Sequence, residues 1–173
     1  MTDMNEIAAI DEMVVKARAA QNAYEAKGSQ GLFDSACQAV AWVLMEPARN
    51  KMLAEMAVAE TGLGRVEDKI RKNHNKTLGL MRDLKDVASF GHLGDDAVTG
   101  LSSYLRPKGV IAAIVPSTNP LATPVNNIIN ALKTGNAIVL APSPRGVKPL
   151  TAMLTDIHQA LGRLGLPDNL VQM

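Results

Sequence analysis

Two short, almost unbroken apolar runs, each followed by a helical stripe, constrain this chain more than any other feature. Val110-Ile111-Ala112-Ala113-Ile114-Val115 has the length and β-branching of a parallel strand buried on both faces. From Pro120 to Thr134, Val125, Ile128, Ile129 and Leu132 recur at helical spacing, and Gly135 suits the C-terminal stop. Ala137-Ile138-Val139-Leu140 repeats the strand pattern. Leu150, Leu154, Ile157, Leu161 and Leu164 then repeat the helical one, closed by Gly165 and Pro167. Leu170-Val171 opens a third strand. The β-α-β-α-β order predicts an α/β fold containing half of a doubly wound, Rossmann-like parallel sheet.

Upstream the grammar differs. Every aromatic residue (Tyr24, Phe33, Trp42, Phe90, Tyr104) precedes Leu105, and every proline except Pro47 follows it. That shift divides the chain into a helical segment with connector, residues 1–105, and a partial nucleotide-binding domain, residues 106–173. Ile7, Ile10, Val14 and Ala17 predict the inward side of a first helix, which Gly28 and Gly31 break. Phe33, Cys37, Val40 and Leu44 mark a second helix. Pro47 fits the first turn of a third, with Met52, Leu53 and Met56 inward and Gly62 and Gly64 as stops. A fourth starts near Arg65, with Val66, Ile70, Leu78 and Met81 near one face. Residues 88–103, carrying Gly91, Gly94 and Gly100, read as a loop.

Composition removes several classes of function. A net charge of +1 offers no basic surface for nucleic acid or a membrane. No apolar run approaches the ~20 residues needed to span a bilayer. The polar, acidic start Met-Thr-Asp-Met-Asn-Glu is unlike a secretory signal, so a cytoplasmic location is expected. Cys37 is the only cysteine, which excludes an internal disulfide and a multi-thiolate metal site within one chain. No metal site is predicted. His74 lacks a partner at zinc-protease spacing, and His92 and His158 likewise read as structural. The run Glu67 to His74 reads as a mixed-charge exposed helix face, with an anion contact from Lys69, Arg71 or Lys72 as the lesser alternative.

In a parallel sheet, ligands bind beyond the C-terminal strand ends, where helix N-termini point N–H groups outward. Two proline-stiffened segments fall there: Pro116-Ser117-Thr118-Asn119-Pro120 and Ala141-Pro142-Ser143-Pro144-Arg145-Gly146. The Asn119 amide can donate to a developing oxyanion, although spacing alone favours a cap for the following helix. Arg145 can meet a phosphate or remain a solvated loop cation. Ser143 can bond a ribose hydroxyl or its own turn. Cys37, mid-stripe on an apolar helix face, reads as core rather than nucleophile.

The segments Arg106 to Pro116, Thr118-Asn119-Pro120 and Ala131 to Leu140 resemble the aldehyde dehydrogenase superfamily. The resemblance implies that Asn119 helps form the oxyanion hole, reversing the preference for a cap. Ordinary members carry a K-P-S-E segment after the second strand, where this chain has Ala141-Pro142-Ser143-Pro144 followed by Arg145-Gly146. That is similar to the S-P-H-P-R-A segment of CoA-acylating members. Glu60-Thr61-Gly62-Leu63-Gly64-Arg65-Val66-Glu67-Asp68-Lys69, continuing to His74, resembles a signature of the same group. The resemblance implies an NAD- or NADP-dependent enzyme that interconverts a small aldehyde and an acyl-CoA, with coenzyme A as co-substrate and a homo-oligomer as the complete protein. It places cofactor contacts on Pro116, Ser117, Thr118, Ser143, Pro144 and Arg145. In that family the catalytic cysteine, a glycine-rich nucleotide loop and an oligomerisation strand lie further downstream. The expectation is therefore an N-terminal portion, inactive by itself. The alternative is a non-catalytic nucleotide-binding or interaction module derived from such an enzyme.

Overall fold

The structure, a computed structural model, describes residues 4–173. The first three residues of the acidic N-terminal stretch lie outside the described residues. Four helices come first: α1 (Met4–Ala26), α2 (Gln30–Met45), α3 (Pro47–Thr61) and α4 (Val66–Asp83). Local chemistry sets their ends. Ser29 caps α2 by accepting from the Leu32 amide at 3.2 Å. The Glu46 carboxylate accepts from Ala48 and Arg49 at the start of α3, where Pro47 occupies the first turn as expected. Those two N–H groups hold the Glu46 carboxyl below its ordinary value. Gly62 ends α3 in the left-handed region at φ 67°.

Three expected inward faces are corrected. On α1 only Ala17 of the expected stripe is buried, together with Ala20, Gln21 and Tyr24, while Ile7, Ile10 and Val14 are exposed. The C-terminal half of this helix docks, and small Ala17 and Ala20 let it approach the sheet closely. On α3, Leu53, Ala54 and Ala57 point inward, whereas Met52 is exposed and Met56 half-buried. On α4 the buried face is polar: Lys69, Asn73 and Thr77, one turn apart, with Leu78 exposed. Asn73 donates to Asn50 Oδ1 at 2.9 Å, and Asn50 donates to the Ile70 carbonyl at 3.0 Å, so α3 and α4 are joined by side-chain amides.

Residues 88–103 are not simply a loop. They contain most of an antiparallel hairpin, β1 (Gly91–Asp96) and β2 (Leu101–Leu105). The Asp96 carboxylate accepts from Val98 and Thr99, and Gly100 adopts φ 70°, which makes the turn. Because the hairpin is largely exposed, it carries no apolar alternation to reveal it.

The expected alternation follows: β3 (Val110–Val115), α5 (Ala122–Lys133), β4 (Ala137–Pro142), α6 (Val147–Gly162) and β5 (Val171–Gln172). The three strands form a parallel sheet in the order β3-β4-β5. The fold is α/β, a helical region followed by a small parallel sheet. β4, in the middle, buries Ala137, Ile138 and Leu140. β3 departs from the expectation of burial on both faces, since Ile114 is 86% exposed. It is an edge strand here, paired only with β4. Leu164 is exposed too, because α6 ends before it.

The core runs continuously through both parts of the chain. α2 packs against α4, α5 and α6, while α1 lies against β3, β4 and β5. Tyr24 and Phe33 pack as tilted rings 4.6 Å apart, and Phe33 meets Phe90 edge-on at 5.0 Å. The buried Tyr24 hydroxyl donates to the Leu132 carbonyl at 3.1 Å. Lys133, buried, is neutralised by Asp34. No described helix is long and apolar enough to cross a membrane.

One buried side chain sets where β3 begins. Asn136 Oδ1 accepts from the Lys108 and Gly109 amides at 2.6 and 2.7 Å, just before the strand. Asn136→Ala removes both acceptor contacts and leaves two amides unpaired. It should lower stability by ~2–4 kcal/mol in urea denaturation. An unchanged midpoint would remove Asn136 from this role.

Candidate active site

Parallel pairing runs in register from Val110 opposite Ala137 to Val115 opposite Pro142. Both strands therefore end at one level, and their two loops leave side by side. The Ser143 amide donates to the Val115 carbonyl at 2.9 Å, carrying the pairing one step beyond the strands. Pro144–Gly146 then forms a single tight helical turn. A Cβ on Gly146 would lie 3.2 Å from Pro120 Cβ, so the two loops touch there.

The candidate residues divide by exposure. Asn119, Ser117 and Ser143 are half-buried; Pro116, Thr118, Pro144 and Arg145 are exposed. Asn119 does not cap α5. The N-cap position is Leu121, without a side-chain bond, and the Asn119 carboxamide has no hydrogen-bond partner among the described residues. Arg145 likewise has no carboxylate partner among them. An unpaired amide and an unpaired guanidinium thus stand on adjoining loops, beside the start of a 12-residue helix. Such a place suits negative charge, because helix N-termini and free N–H donors both favour anions.

Two further contacts come from the upstream motif. Lys69 Nζ donates to the Thr118 carbonyl at 3.3 Å, although the residue is only 9% exposed. Burial, and then Lys72, hold its amine below the ordinary lysine value. Glu60 pairs with Lys148 at 2.6 Å, tying the end of α3 to the first turn of α6. The expected reading of the Glu67-to-His74 run as a solvated face holds for Arg71, paired with Asp68, but not for Lys69. The spacing of Lys69, Asn73 and Thr77, four residues apart each time, was the available signal. A polar stripe at helical period looks like a surface until its partners are known.

Cys37 is far from this chemistry. Its Sγ donates to the Ile129 carbonyl at 3.4 Å, within α5. Ile129 lies roughly 10 Å along the axis from the first residue of that helix. Desolvation pushes the thiol from 9.0 up to about 12. The histidines also stay away from the loops. His92 pairs with Asp95, and His158 contacts the Val171 carbonyl at 2.8 Å.

The sequence profile of the aldehyde dehydrogenase family matches residues 4–173. The chain belongs to that family. It is 54% identical over 165 residues to an acylating sulfoacetaldehyde dehydrogenase of Cupriavidus necator, across 95% of this chain and 33% of that protein. A solved acetylating aldehyde dehydrogenase of Geobacillus thermoglucosidasius superposes with a TM-score of 0.88 at 33% identity, over 98% of this chain and 37% of the other. A propionaldehyde dehydrogenase of Rhodopseudomonas palustris, solved with bound CoA, gives 0.79 at 34% identity, over 94% and 36%. These relatives are acylating aldehyde dehydrogenases, and the chain spans about a third of their length.

The Cys37 environment has a measurable consequence. The folded chain keeps the thiol proton up to about 12, whereas the unfolded chain loses it near 9.0. The associated stability is complete below pH 9.0 and is lost as pH rises toward 12. A Cys37→Ala variant should show a shallower alkaline loss of stability than the parent. Thiol labelling should be slow in the folded chain and fast in urea. Rapid native labelling at neutral pH would contradict the buried, protonated state.

Proposed function

We propose that this chain is the N-terminal third of an NAD(P)-dependent, CoA-acylating aldehyde dehydrogenase, and that it supplies the oxyanion donor and part of the cofactor cradle. The observation that carries this reading is the pair of adjoining strand-end loops, with the Asn119 carboxamide and the Arg145 guanidinium both without a side-chain partner among the described residues. The matched acylating relatives support it.

The residues present fit a phosphate-bearing cofactor. Arg145 offers a forked cation, Ser143 a hydroxyl, and the contact of Gly146 with Pro120 keeps the loop floor low. The exposed edges of Pro116, Ser117, Thr118 and Pro144 complete the cradle. Bound there, NAD(P) would supply a hydride acceptor, and coenzyme A would supply a thiol acceptor for the acyl group. Asn119 acts on the substrate oxygen. As a thiolate adds to the carbonyl, negative charge builds on that oxygen, and a fixed amide donor stabilises it without reorganising. Its rigid setting between Pro116 and Pro120 suits that task.

The thiolate comes from outside these residues. Cys37 is buried on α2, protonated and bonded to the Ile129 carbonyl of α5, so it cannot reach the Asn119 amide. The substrate is a small aldehyde or its acyl-CoA.

In a full-length enzyme containing this segment, Asn119→Ala should lower kcat by ~100-fold or more with little change in nucleotide affinity. Arg145→Ala should weaken nucleotide or CoA binding by ~1.5–3 kcal/mol, the value of a charge-assisted hydrogen bond. Unchanged kcat in the first, or unchanged affinity for all three ligands in the second, would sink the corresponding assignment. Residues 1–173 alone should form no NAD(P)H with short aldehydes, with or without CoA. Turnover that vanishes in Cys37→Ser would overturn the reading.

A further inference from the structure

The peptide unit joining Thr118 to Asn119 is held at both ends. Its carbonyl oxygen accepts from Lys69 Nζ at 3.3 Å, and its N–H donates to the Pro116 carbonyl at 3.4 Å. Both contacts are long for an N–H···O bond, and either alone would be weak. Because the peptide is planar, however, the two together fix one rigid plate. That plate ends at the Asn119 Cα and so sets the direction in which its side chain leaves the loop.

Lys69 is well mounted for such a task. It opens the inward face of α4, with Asn73 one turn further on bonded to Asn50 of α3. Gly62 and Gly64, at φ 67° and 77°, make the turn that brings α4 up beside the loop. The lysine stem passes within 3.7 Å of where a Gly64 Cβ would stand. Lys69 has no carboxylate partner among the described residues. The adjacent Asp68 is taken by Arg65 and Arg71. The residue is buried and its amine is partly desolvated, and its one described acceptor is a neutral carbonyl, so no ion pair offsets that desolvation. Residues kept against stability tend to mark functional sites.

We propose that Lys69 is a positioning residue that clamps the Thr118–Asn119 peptide plane and thereby aims the Asn119 amide at the reacting carbonyl oxygen. This rests on the reading of Asn119 as oxyanion donor. The ammonium has a second effect through the same contact. A cation at the carbonyl end polarises the amide and strengthens its N–H as a donor toward Pro116, so the two contacts reinforce each other. The role explains why one charged residue of the Glu67–His74 run faces inward beside Asn73, and why the motif containing it carries two glycines ahead of the helix.

The test compares native protein, Lys69→Met and Lys69→Arg by two independent readouts. Hydrogen exchange on the 173-residue chain reports the clamp without any need for turnover. Lys69→Met should speed exchange of the Asn119 amide by ~10-fold or more while the β3 and β4 amides keep their native rates, and Lys69→Arg should restore most of the protection. Equal loop exchange in native and Lys69→Met chains would overturn the clamp. So would a native loop that already exchanges as fast as an unstructured peptide.

In a full-length enzyme, Lys69→Met should lower kcat by ~10-fold or more with KM for the nucleotide nearly unchanged, as expected for a misaimed group. Its Tm should equal or exceed the native value, and Lys69→Arg should recover activity. Loss of kcat that merely tracks a fall in Tm would make Lys69 a packing residue and end the proposal. If the native full-length enzyme shows no CoA-dependent aldehyde oxidation, the acylating reading fails separately, and the exchange data still decide the clamp.

Discussion

The in-register pairing of β3 with β4 is the constraint on which the candidate site rests. Val115 stands opposite Pro142, so both strands stop at the same height, and the Ser143 amide reaches across to the Val115 carbonyl. A slip of one residue would exchange the faces of the strand and drive the apolar set of β3 away from α5. It would also separate the loops bearing Asn119 and Arg145. Asn136 guards the other end of the pairing, where its side chain captures the amides of Lys108 and Gly109. Strand register, a matter of folding, is here also what brings an amide donor and a cation together.

The α3–α4 pair is the second determinant, and it reaches both loops. Lys69 touches the first through the Thr118 carbonyl, and Glu60 holds the helix that leaves the second through Lys148. The two contacts differ in kind. Glu60–Lys148 is largely solvent-facing and contributes little energy, since exposed pairs are worth ~0–1 kcal/mol. Lys69 is buried without a countercharge. One ties two elements loosely; the other fixes a single peptide. The side-chain amides of Asn50 and Asn73 keep the pair rigid enough for either contact to have a defined geometry. The upstream motif, remote in sequence from the strand-end loops, thus belongs to the same site.

What was legible in the sequence followed from strong local physics. The apolar runs at Val110 and Ala137, the glycine at the end of α5 and the proline at the start of α3 each act within a few residues, and the structure has them where they were expected. Pattern reading failed where burial was decided by partners far along the chain. The outward faces of Ile7, Ile10 and Val14 look like core because their spacing is helical, but only the C-terminal half of α1 meets the sheet. The Lys69-Asn73-Thr77 stripe looks solvated because its residues are polar, but α2, α3 and the Asn119 loop close over it. The hairpin at Gly91–Leu105 escaped because an exposed two-stranded ribbon needs turn chemistry more than hydrophobic alternation. For Asn119, spacing favoured a helix cap. The family resemblance favoured an oxyanion donor, and the start of α5 after Leu121 leaves its carboxamide free for that role.

The central claim is that the two strand-end loops act together as one ligand cradle, and amide chemical-shift mapping tests it most directly. The isotope-labelled chain would be titrated separately with CoA, NAD+ and NADP+. The account predicts that the amides of Ser117, Thr118, Asn119, Ser143, Arg145 and Gly146 shift together and saturate with at least one of the three, while those of the β1–β2 hairpin stay still. Saturable shifts confined to other surfaces, or none at millimolar ligand, would contradict it.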